Sequence, residues 1–258
     1  MDTITSDRIF LQHKKSKSAD NAFVMSYGVA CVRKNPDNGC YEVLMIKKRY
    51  TYAFIEFIRG MYDPYKHRDI EYMFACMTIT EKSLIQTRSF STLWNYCNGE
   101  PTKSSDRSIF SRAYRKYTSL VEQDDEILVK LLNNTKNATL LWEIPKGRPN
   151  KKETSLHSAV REFEEETGLN KENYRILFDE GTIEYSFIDC GVNYKYVYYL
   201  AVLVGNTNPT YDYKNEHMLG EVSEIRFMTS TATQELNNRR LSNTVKIIIK
   251  KCKKYFIK

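Results

Sequence analysis

Residues 141–169, which read LWEIPKGRPNKKETSLHSAVREFEEETGL, constrain the fold of this chain more than any other stretch. Ser155 and Gly168 are residue types typical of a helix N-cap and of the position just after a helix C-terminus. Between them, apolar residues recur at the spacing of one helix face: Leu156, Ala159, Val160 and Phe163. Glu162, Glu165 and Glu166 stand at i, i+3 and i+4, so they share a different face. The sequence therefore predicts an amphipathic helix with an acidic side.

Carboxylates on one helix face repel each other, by roughly 3 kcal/mol for a pair about 5 Å apart at an effective dielectric of about 20. A divalent cation removes this cost. All-oxygen ligands suit Mg²⁺ or Mn²⁺, which accept substrate phosphates as further ligands. Glu153 lies on the preceding loop, and we expect it to pair with Arg161 and to hold the start of the helix. Gly147 lets the backbone approach a bound ion. A solvated acidic helix face is the alternative interpretation.

The spacing of these residues resembles the Nudix box at every defined position: Gly147, then Glu153, then REFEEETGL at residues 161–169. This resemblance implies a Nudix hydrolase, an α/β/α sandwich that cleaves a diphosphate linked to another group with Mg²⁺ or Mn²⁺. It also implies that Gly147, Glu162, Glu165 and Glu166 hold the metal and that one glutamate acts as a base. A decayed, non-catalytic Nudix fold is the alternative, but every defined position of the box carries the residue that the box requires.

Strand-like segments surround the box, at residues 23–33 and 41–49 before it and at 181–188 and 194–204 after it. The box begins much later than in a compact Nudix domain. The additional residues before the box, roughly 50–135, are rich in aromatic side chains at helical spacing and are interrupted by Gly and Pro. We therefore expect a Nudix domain split into residues 1–49 and 136–258, with a mainly helical insertion domain at residues 50–135.

Residues 220–228, GEVSEIRFM, resemble a late strand that supplies a further glutamate to the metals in many Nudix enzymes. Glu221 fits this role better than Glu224, because it lies next to the apolar start of the strand. Glu165, Glu166 and Glu221 are therefore the candidate catalytic carboxylates. An ordinary surface charge is the alternative interpretation of Glu221.

Residues 239–258 contain eight Lys or Arg and no Asp or Glu, which exceeds the formal net charge of +7 of the whole chain. Apolar residues recur there at helical spacing, so we predict a basic helix that docks through one stripe and turns its lysines to solvent. A polyanion is the natural partner. Lys246, Lys250, Lys253 and Lys254 are the candidate RNA-binding residues. A basic helix without a partner and a membrane surface are the alternatives.

Three features favour RNA as the substrate. The sequence Pro145-Lys146-Gly147-Arg148 resembles the PKGK-type start of the box in decapping and dinucleoside tetraphosphate Nudix enzymes. Lys146 and Arg148 are therefore predicted to contact substrate phosphates. The basic tail resembles the RNA-binding helix of decapping enzymes. The helical insertion interrupts the early strands. Four segments together resemble the mRNA-decapping Nudix proteins of large DNA viruses: KKRYTYAFIEFIRGMY, MTITEKSLI, LLWEIPKGRP and AVREFEEETG.

Resemblance to this decapping group implies removal of the 5′ cap of mRNA, with release of m7GDP and 5′-monophosphate RNA. Capped mRNA would then be the partner, and inositol pyrophosphates are a second class of substrate in the same family. A small-molecule enzyme that acts on diphosphoinositol polyphosphates or dinucleoside polyphosphates is the first alternative. A non-enzymatic RNA-binding protein is the second. The sequence does not predict an oligomeric state.

Cysteine usage and hydropathy bear on the compartment. The six cysteines form no C-x-x-C pair and no ligand spacing with His, which is typical of reduced, intracellular proteins. Residues 1–20 contain no apolar run that would make a signal peptide. No stretch approaches eighteen apolar residues, so we expect no membrane span. The expected location is the cytoplasm, or the host cytoplasm if the chain is viral.

Overall fold

The computed structural model describes residues 22–123, 126–133, 136–189 and 192–256. Residues 1–20, for which we predict no signal peptide, lie outside this part. The strands are β1 (Val24–Lys34), β2 (Tyr41–Lys48), β3 (Trp142–Glu143), β4 (Lys146–Gly147), β5 (Tyr174–Ile176), β6 (Thr182–Asp189), β7 (Val192–Leu203) and β8 (Val222–Met228). The helices are α1 (Tyr52–Ile58), α2 (His67–Ala75), α3 (Ile79–Thr87), α4 (Phe90–Asn98), α5 (Ser104–Gln123), α6 (Ile127–Leu132), α7 (Ser155–Thr167), α8 (Glu216–Glu221), α9 (Ser230–Gln234) and α10 (Arg239–Cys252).

The chain divides into two compact units: a helical unit that includes Tyr50–Leu141 and a sheet unit built from residues 22–49 and 142–256. The sequence predicts the second boundary after residue 135, yet residues 136–141 group with the helical unit. Hydrogen bonds explain the difference. Lys82 Nζ donates to the carbonyl of Lys136 at 2.6 Å, and the N–H of Ala138 donates to the carbonyl of Met77 at 2.9 Å.

The helical unit contains α1 to α6, and aromatic side chains form much of its core. Phe57 stacks on Tyr62 and meets Phe74 edge-on, with ring centroids 5.0 Å apart in both pairs. Such pairs add about 0.5–1.5 kcal/mol each beyond the burial of their area. Glu81, which is buried, accepts hydrogen bonds from the backbone N–H groups of Thr51 and Thr78. One carboxylate therefore caps the starts of both α1 and α3.

The sheet of the second unit is mixed and opens like a V. Antiparallel pairing of β1 with β2 covers only residues 32–34 and 41–43. Further along, the same edge of β2 pairs with β3, and the facing edge of β1 pairs with β4. Residues 142–147 therefore fill the gap between the two strands. On the outer edges, β7 runs parallel to β1, and β8 runs antiparallel to β2.

Two helices cover the two faces of this sheet. Successive side chains of β1 alternate between the faces. Val29 belongs to the buried cluster that includes Phe163 of α7, and Ala30 belongs to the one that includes Val245 of α10. All four side chains are fully buried, and burying a side chain as large as Phe163 contributes about 1.5–3 kcal/mol. The sheet unit is the expected α/β/α sandwich, with α7 and α10 as its outer layers.

The structure corrects the predicted start of α7 by one residue. Thr154, and not Ser155, is the N-cap: its hydroxyl accepts the N–H of His157, and its backbone is extended. Ser155 is the first helical residue, and its hydroxyl instead forms a hydrogen bond of 2.8 Å with Tyr199. The predicted end is confirmed, because Gly168 adopts φ +69 at the C-cap, a conformation that favours glycine.

The basic tail forms a helix, although a shorter one than residues 239–258. The α-helix α10 ends at Cys252, and a 3-10 turn, Lys253–Phe256, follows it. The predicted apolar stripe is confirmed, since the side chains at its centre are buried: Leu241, Val245, Ile248 and Cys252. In the part of the chain that the structure describes, no helix is long and apolar enough to cross a bilayer.

Candidate active site

Glu166 is the most deeply buried carboxylate of α7, with a side chain only 4% exposed. Its Oε2 accepts the backbone N–H of Lys146 at 2.9 Å, and its Oε1 accepts Lys48 Nζ at 3.2 Å. Burial raises the pKa of Glu166 to about 8, although the nearby Lys48 ammonium acts to lower it. Burial thus outweighs the Lys48 ammonium, and a further cation beside Glu166 would favour its charged form.

Lys48, at the end of β2, connects carboxylates from three elements. Besides Glu166, its Nζ lies 3.0 Å from Glu221 Oε2 and 3.8 Å from Glu143 Oε1. The Lys48 side chain is 8% exposed, so its charge is compensated within the protein and not by water. Lys48 therefore links the ends of β3 and α8 to α7 through ion pairs.

Arg161 forms the second charged centre. Its Nε donates to Glu153 Oε1 at 2.8 Å, and its Nη1 donates to Glu162 at 2.8 Å and to Glu165 at 3.1 Å. The hydrogen bonds that Glu153 accepts from Arg161 and from the backbone N–H of Asn150 hold the pKa of Glu153 at about 2. Burial dominates at Glu162 and raises its pKa, while Arg161 opposes that rise. The predicted contact between Glu153 and Arg161 is present. Arg161 Nη2 also donates a hydrogen bond of 3.2 Å to the carbonyl of Arg148, and so contacts the loop that precedes α7.

Gly147 packs directly against the acidic face of α7. A Cβ atom built at this position would lie 2.0 Å from the carboxylate carbon of Glu162. No real Cβ tolerates such a distance, so any side chain at this position would displace the Glu162 carboxylate from β4. Glycine permits this contact through its missing side chain and not through its conformational freedom.

The predicted trio of glutamates is thus divided between two cations. Lys48 neutralises Glu166, whereas Arg161 neutralises Glu162 and Glu165. Among residues 22–123, 126–133, 136–189 and 192–256, no three acidic, His or Cys side chains converge as a formed metal cage. Lys48 and Arg161 therefore both place positive charge against the acidic face of α7.

Glu221 and Glu224 lie in different surroundings. Glu221 ends the short helix α8, not a strand, and its side chain, 54% exposed, pairs with Lys48. Glu224 lies on β8 and pairs with Lys47 and Arg226. Of the two late glutamates, only Glu221 shares a cation with Glu166.

The two predicted phosphate contacts also differ. Lys146 is buried, and its Nζ donates to Glu143 Oε2 at 2.7 Å and lies over the ring of Tyr196, 4.6 Å from the centroid. Arg148 is exposed on the loop that follows β4. Lys146 is therefore held in place before any substrate binds, whereas the Arg148 side chain faces solvent.

The predicted RNA-binding lysines lie on the other side of the sheet unit, on α10 and the turn after it. All four are exposed: Lys246, Lys250, Lys253 and Lys254. Lys254 is partly neutralised, because its Nζ lies 2.5 Å from Glu180 Oε1. The structure does not bring these lysines into the carboxylate cluster, since α7 and α10 cover opposite faces.

Two residues of the site are absent from the sequence prediction, Lys48 and Glu143. Each stands at the end of a strand, where a single charge is usually an ordinary surface residue. The only available signal is a lysine after the apolar run VLMI of β2 and a glutamate before Ile144 and Pro145. Their meeting depends on the V-shaped gap, which periodicity does not reveal.

Comparison with known proteins identifies the family of this chain. The NUDIX domain model matches residues 117–246. The chain is 34% identical over 232 residues to the mRNA-decapping protein g5R of African swine fever virus, with 86% of this chain and 92% of that protein covered. Among solved structures, a C. elegans Ap4A hydrolase binary complex is 13% identical with a TM-score of 0.44, covering 90% of this chain and 97% of that one. By the family match and the viral relative, the chain belongs to the Nudix family.

Proposed function

We propose that this protein is a metal-dependent Nudix pyrophosphohydrolase that removes the 5′ cap of mRNA and releases m7GDP and 5′-monophosphate RNA. One observation carries the proposal: α7 holds Glu162 against Gly147 and Glu166 against the backbone of β4. Support for the substrate comes from the viral relative, which is named for mRNA decapping and is similar over most of both chains.

The residues present fit Mg²⁺ or Mn²⁺. Glu162, Glu165 and Glu166 offer only oxygen donors, as these hard cations prefer, and the carbonyl of Gly147 would complete the set. Lys48 and Arg161 already place positive charge against the same carboxylates, which supports a cation site at this face. When bound, the metal would neutralise the phosphates of the cap and lower the pKa of a water molecule.

Glu165 and Glu221 are the candidate general bases. A base must reach the water whose proton it accepts. The side chains of Glu165 and Glu221 are 32% and 54% exposed, against 4% for Glu166. One of the two would accept the proton of the attacking water on a carboxylate oxygen. Glu166, in contrast, is placed to bind and not to exchange protons with solvent.

Lys146 and Arg148 would bind the phosphates of the cap. Nζ of Lys146 is fixed beside Glu143, so it offers a positive charge at a defined place without losing side-chain entropy on binding. Arg148 is exposed and offers a fork of donors that suits phosphate oxygens. Together they would stabilise the diphosphate that leaves with the capped nucleotide.

The RNA beyond the cap would contact the exposed lysines of α10 and the following turn, Lys246, Lys250, Lys253 and Lys254. Phosphate contacts of this kind add affinity without sequence preference. Capped mRNA is then the partner, and we propose the cytoplasm, or the host cytoplasm for a viral chain, as the place of action.

The test is cleavage of RNA that is labelled in its cap, incubated with the protein and Mn²⁺. We expect release of m7GDP, and the same protein with Glu166→Gln is the matched control that should release almost none. Inositol pyrophosphates and dinucleoside polyphosphates are assayed in parallel. Efficient turnover of those compounds with intact caps would assign the protein to small-molecule hydrolysis, and binding of RNA without any turnover would refute an enzymatic role.

A further inference from the structure

Trp142 belongs to the segment that fills the V-shaped gap, yet the reaction proposed above does not use it. It lies directly opposite Lys47 of β2, and Lys47 lies opposite Glu224 of β8. Residues paired across neighbouring strands point to the same face of a sheet. Trp142, Lys47 and Glu224 therefore share one face, together with Arg226, which stands two residues after Glu224 on β8.

Two positively charged side chains lie near the indole ring of Trp142. Lys47 Nζ lies 5.7 Å from the ring centroid and Arg226 Cζ lies 5.4 Å from it, both within the reach of about 6 Å of a cation–π contact. Both cations also pair with Glu224: Lys47 Nζ lies 3.8 Å from Glu224 Oε2, and Arg226 forms a closer ion pair. An aromatic face and a carboxylate thus stand side by side and attract the same cations.

This constellation is open to solvent. The side chains of Lys47 and Glu224 are 33% and 35% exposed, and that of Arg226 is 61% exposed. Trp142 itself is half-buried against the cluster beneath α10. A planar ligand can therefore reach the ring by displacing the flexible ends of Lys47 and Arg226, without disturbing the backbone of the sheet.

We propose that Trp142 and Glu224 form the subsite that binds the N7-methylated guanine of the cap, an inference that rests on the proposed function. Methylation at N7 gives the purine a positive charge, so its plane is attracted to the indole face in the way that Lys47 and Arg226 are. The N1–H and the exocyclic amino group of guanine are donors, and the Glu224 carboxylate is an acceptor beside the ring.

The position of Trp142 in the chain connects this subsite with the carboxylates. Glu143, the next residue, lies 3.8 Å from Lys48 and binds Lys146. Trp142 and Gly147 are the two ends of the segment in the gap. A cap whose base lies on Trp142, on the face beneath α10, would bring its phosphates beside Glu143 and Lys146. Glu143 contacts Lys48, the partner of Glu166 on α7.

Fluorescence tests the subsite without any turnover. The chain has two tryptophans, and Trp94, in the helical unit, is 3% exposed. In the Trp94→Phe variant, Trp142 is the sole indole reporter. We expect m7GDP, added with Mg²⁺, to quench it and to bind about tenfold more tightly than GDP. Glu224→Gln in the same background should weaken the binding of both nucleotides, because both present the N1–H and the amino group. Equal binding of the two nucleotides, or binding of m7GDP without quenching, would overturn the proposal.

Cleavage kinetics separate this proposal from the function on which it rests. Trp142→Leu should raise KM about tenfold for methyl-capped RNA and by a smaller factor for RNA with an unmethylated cap, whose guanine stacks on the ring without a positive charge. The kcat should change little, and Trp142→Tyr should restore most of the affinity. An equal loss for both RNAs, without rescue by tyrosine, would show a structural role and refute the subsite. Selective quenching by m7GDP in a protein that cleaves no cap would leave the subsite in place and refute the decapping function instead.

Discussion

The helices α7 and α10 cover opposite faces of one sheet, and they use charge in opposite ways. On α7, Glu162 and Glu166 are 14% and 4% exposed, and each is bonded to a partner from another part of the sheet unit or from the helix itself. On α10, Lys246 and Lys250 face solvent on the side away from the buried stripe. Both helices are amphipathic, but the acidic side chains of α7 are partly or fully buried, whereas most basic side chains of α10 are exposed.

This difference separates two kinds of function. A buried charge is held at one place by its partners, and removing a partner is costly because the remaining charge stays desolvated. Exposed charges contribute little to stability and act on a ligand in proportion to their number. The acidic face of α7 therefore suits chemistry at a single phosphorus atom, whereas the basic face of α10 suits a long polyanion.

The largest effect is expected at Glu166. Glu166→Gln keeps the shape of the side chain and removes its charge, so turnover of capped RNA should fall by about 100- to 1,000-fold. The melting temperature should change little, because Lys48 keeps Glu143 and Glu221 as partners and the substitution removes the cost of burying a carboxylate. Both quantities are measured on the same preparation. Turnover close to that of the unaltered protein would show that α7 is not the metal-binding element.

Lys48 and Lys250 provide a matched pair of the same residue type. Lys48→Met leaves Glu166 and Glu221 without their shared cation, and it should lower the free energy of unfolding by about 3 kcal/mol in metal-free buffer. Lys250→Met should change it by less than about 0.5 kcal/mol. Urea unfolding measures both. Equal effects of the two substitutions would mean that the contacts of Lys48 contribute no more than a surface charge does.

Substitutions of the basic tail lysines should change the affinity for RNA and not the stability of the fold. Charge reversal of Lys250, Lys253 and Lys254 to Glu should weaken RNA binding by about 100-fold at moderate salt and lower the salt slope by about one unit for each lost phosphate contact. Cleavage of a free cap dinucleotide should change little. Since Lys254 pairs with Glu180, the double reversal of Lys250 and Lys253 is the control that leaves this pair intact. Intact RNA binding with lost turnover of small substrates would refute the RNA-binding role.

Much of the sheet unit follows from periodicity. The apolar positions of α7 and α10 repeat over several turns, and a pattern of that length leaves little choice of structure. Element ends depend on single contacts and are harder to predict. Thr154 and Ser155 are both good capping residues, and only the tertiary hydrogen bond of Ser155 with Tyr199 distinguishes them.

The candidate site was predictable only in part, for a related reason. Glu162, Glu165 and Glu166 are adjacent on one helix, so local spacing places them together. Lys48 is 118 residues from Glu166 in the chain, and it reaches that carboxylate because β1 and β2 diverge. Neither composition nor spacing encodes that divergence, which results from the pairing of β3 and β4 with the facing edges.

The smallest effect is expected at Arg161. Its side chain is 27% exposed, so its burial lies between that of Glu166 on α7 and that of the exposed lysines on α10. Arg161→Ala should lower the melting temperature at pH 7 by about 2–6 °C, and it should reduce turnover, since Glu162 and Glu165 lose the partner that orients them.

The pKa of Glu153 is depressed from 4.5 to about 2 by its hydrogen bond with Arg161. A depressed pKa contributes stability that is fully present above the unfolded value and is lost as the pH falls towards 2. The difference in melting temperature between the unaltered protein and Arg161→Ala should therefore shrink between pH 4.5 and pH 2, and Glu153→Gln should show the same profile. A difference that stays constant over this range would mean that Arg161 acts through packing and not through its pair with Glu153.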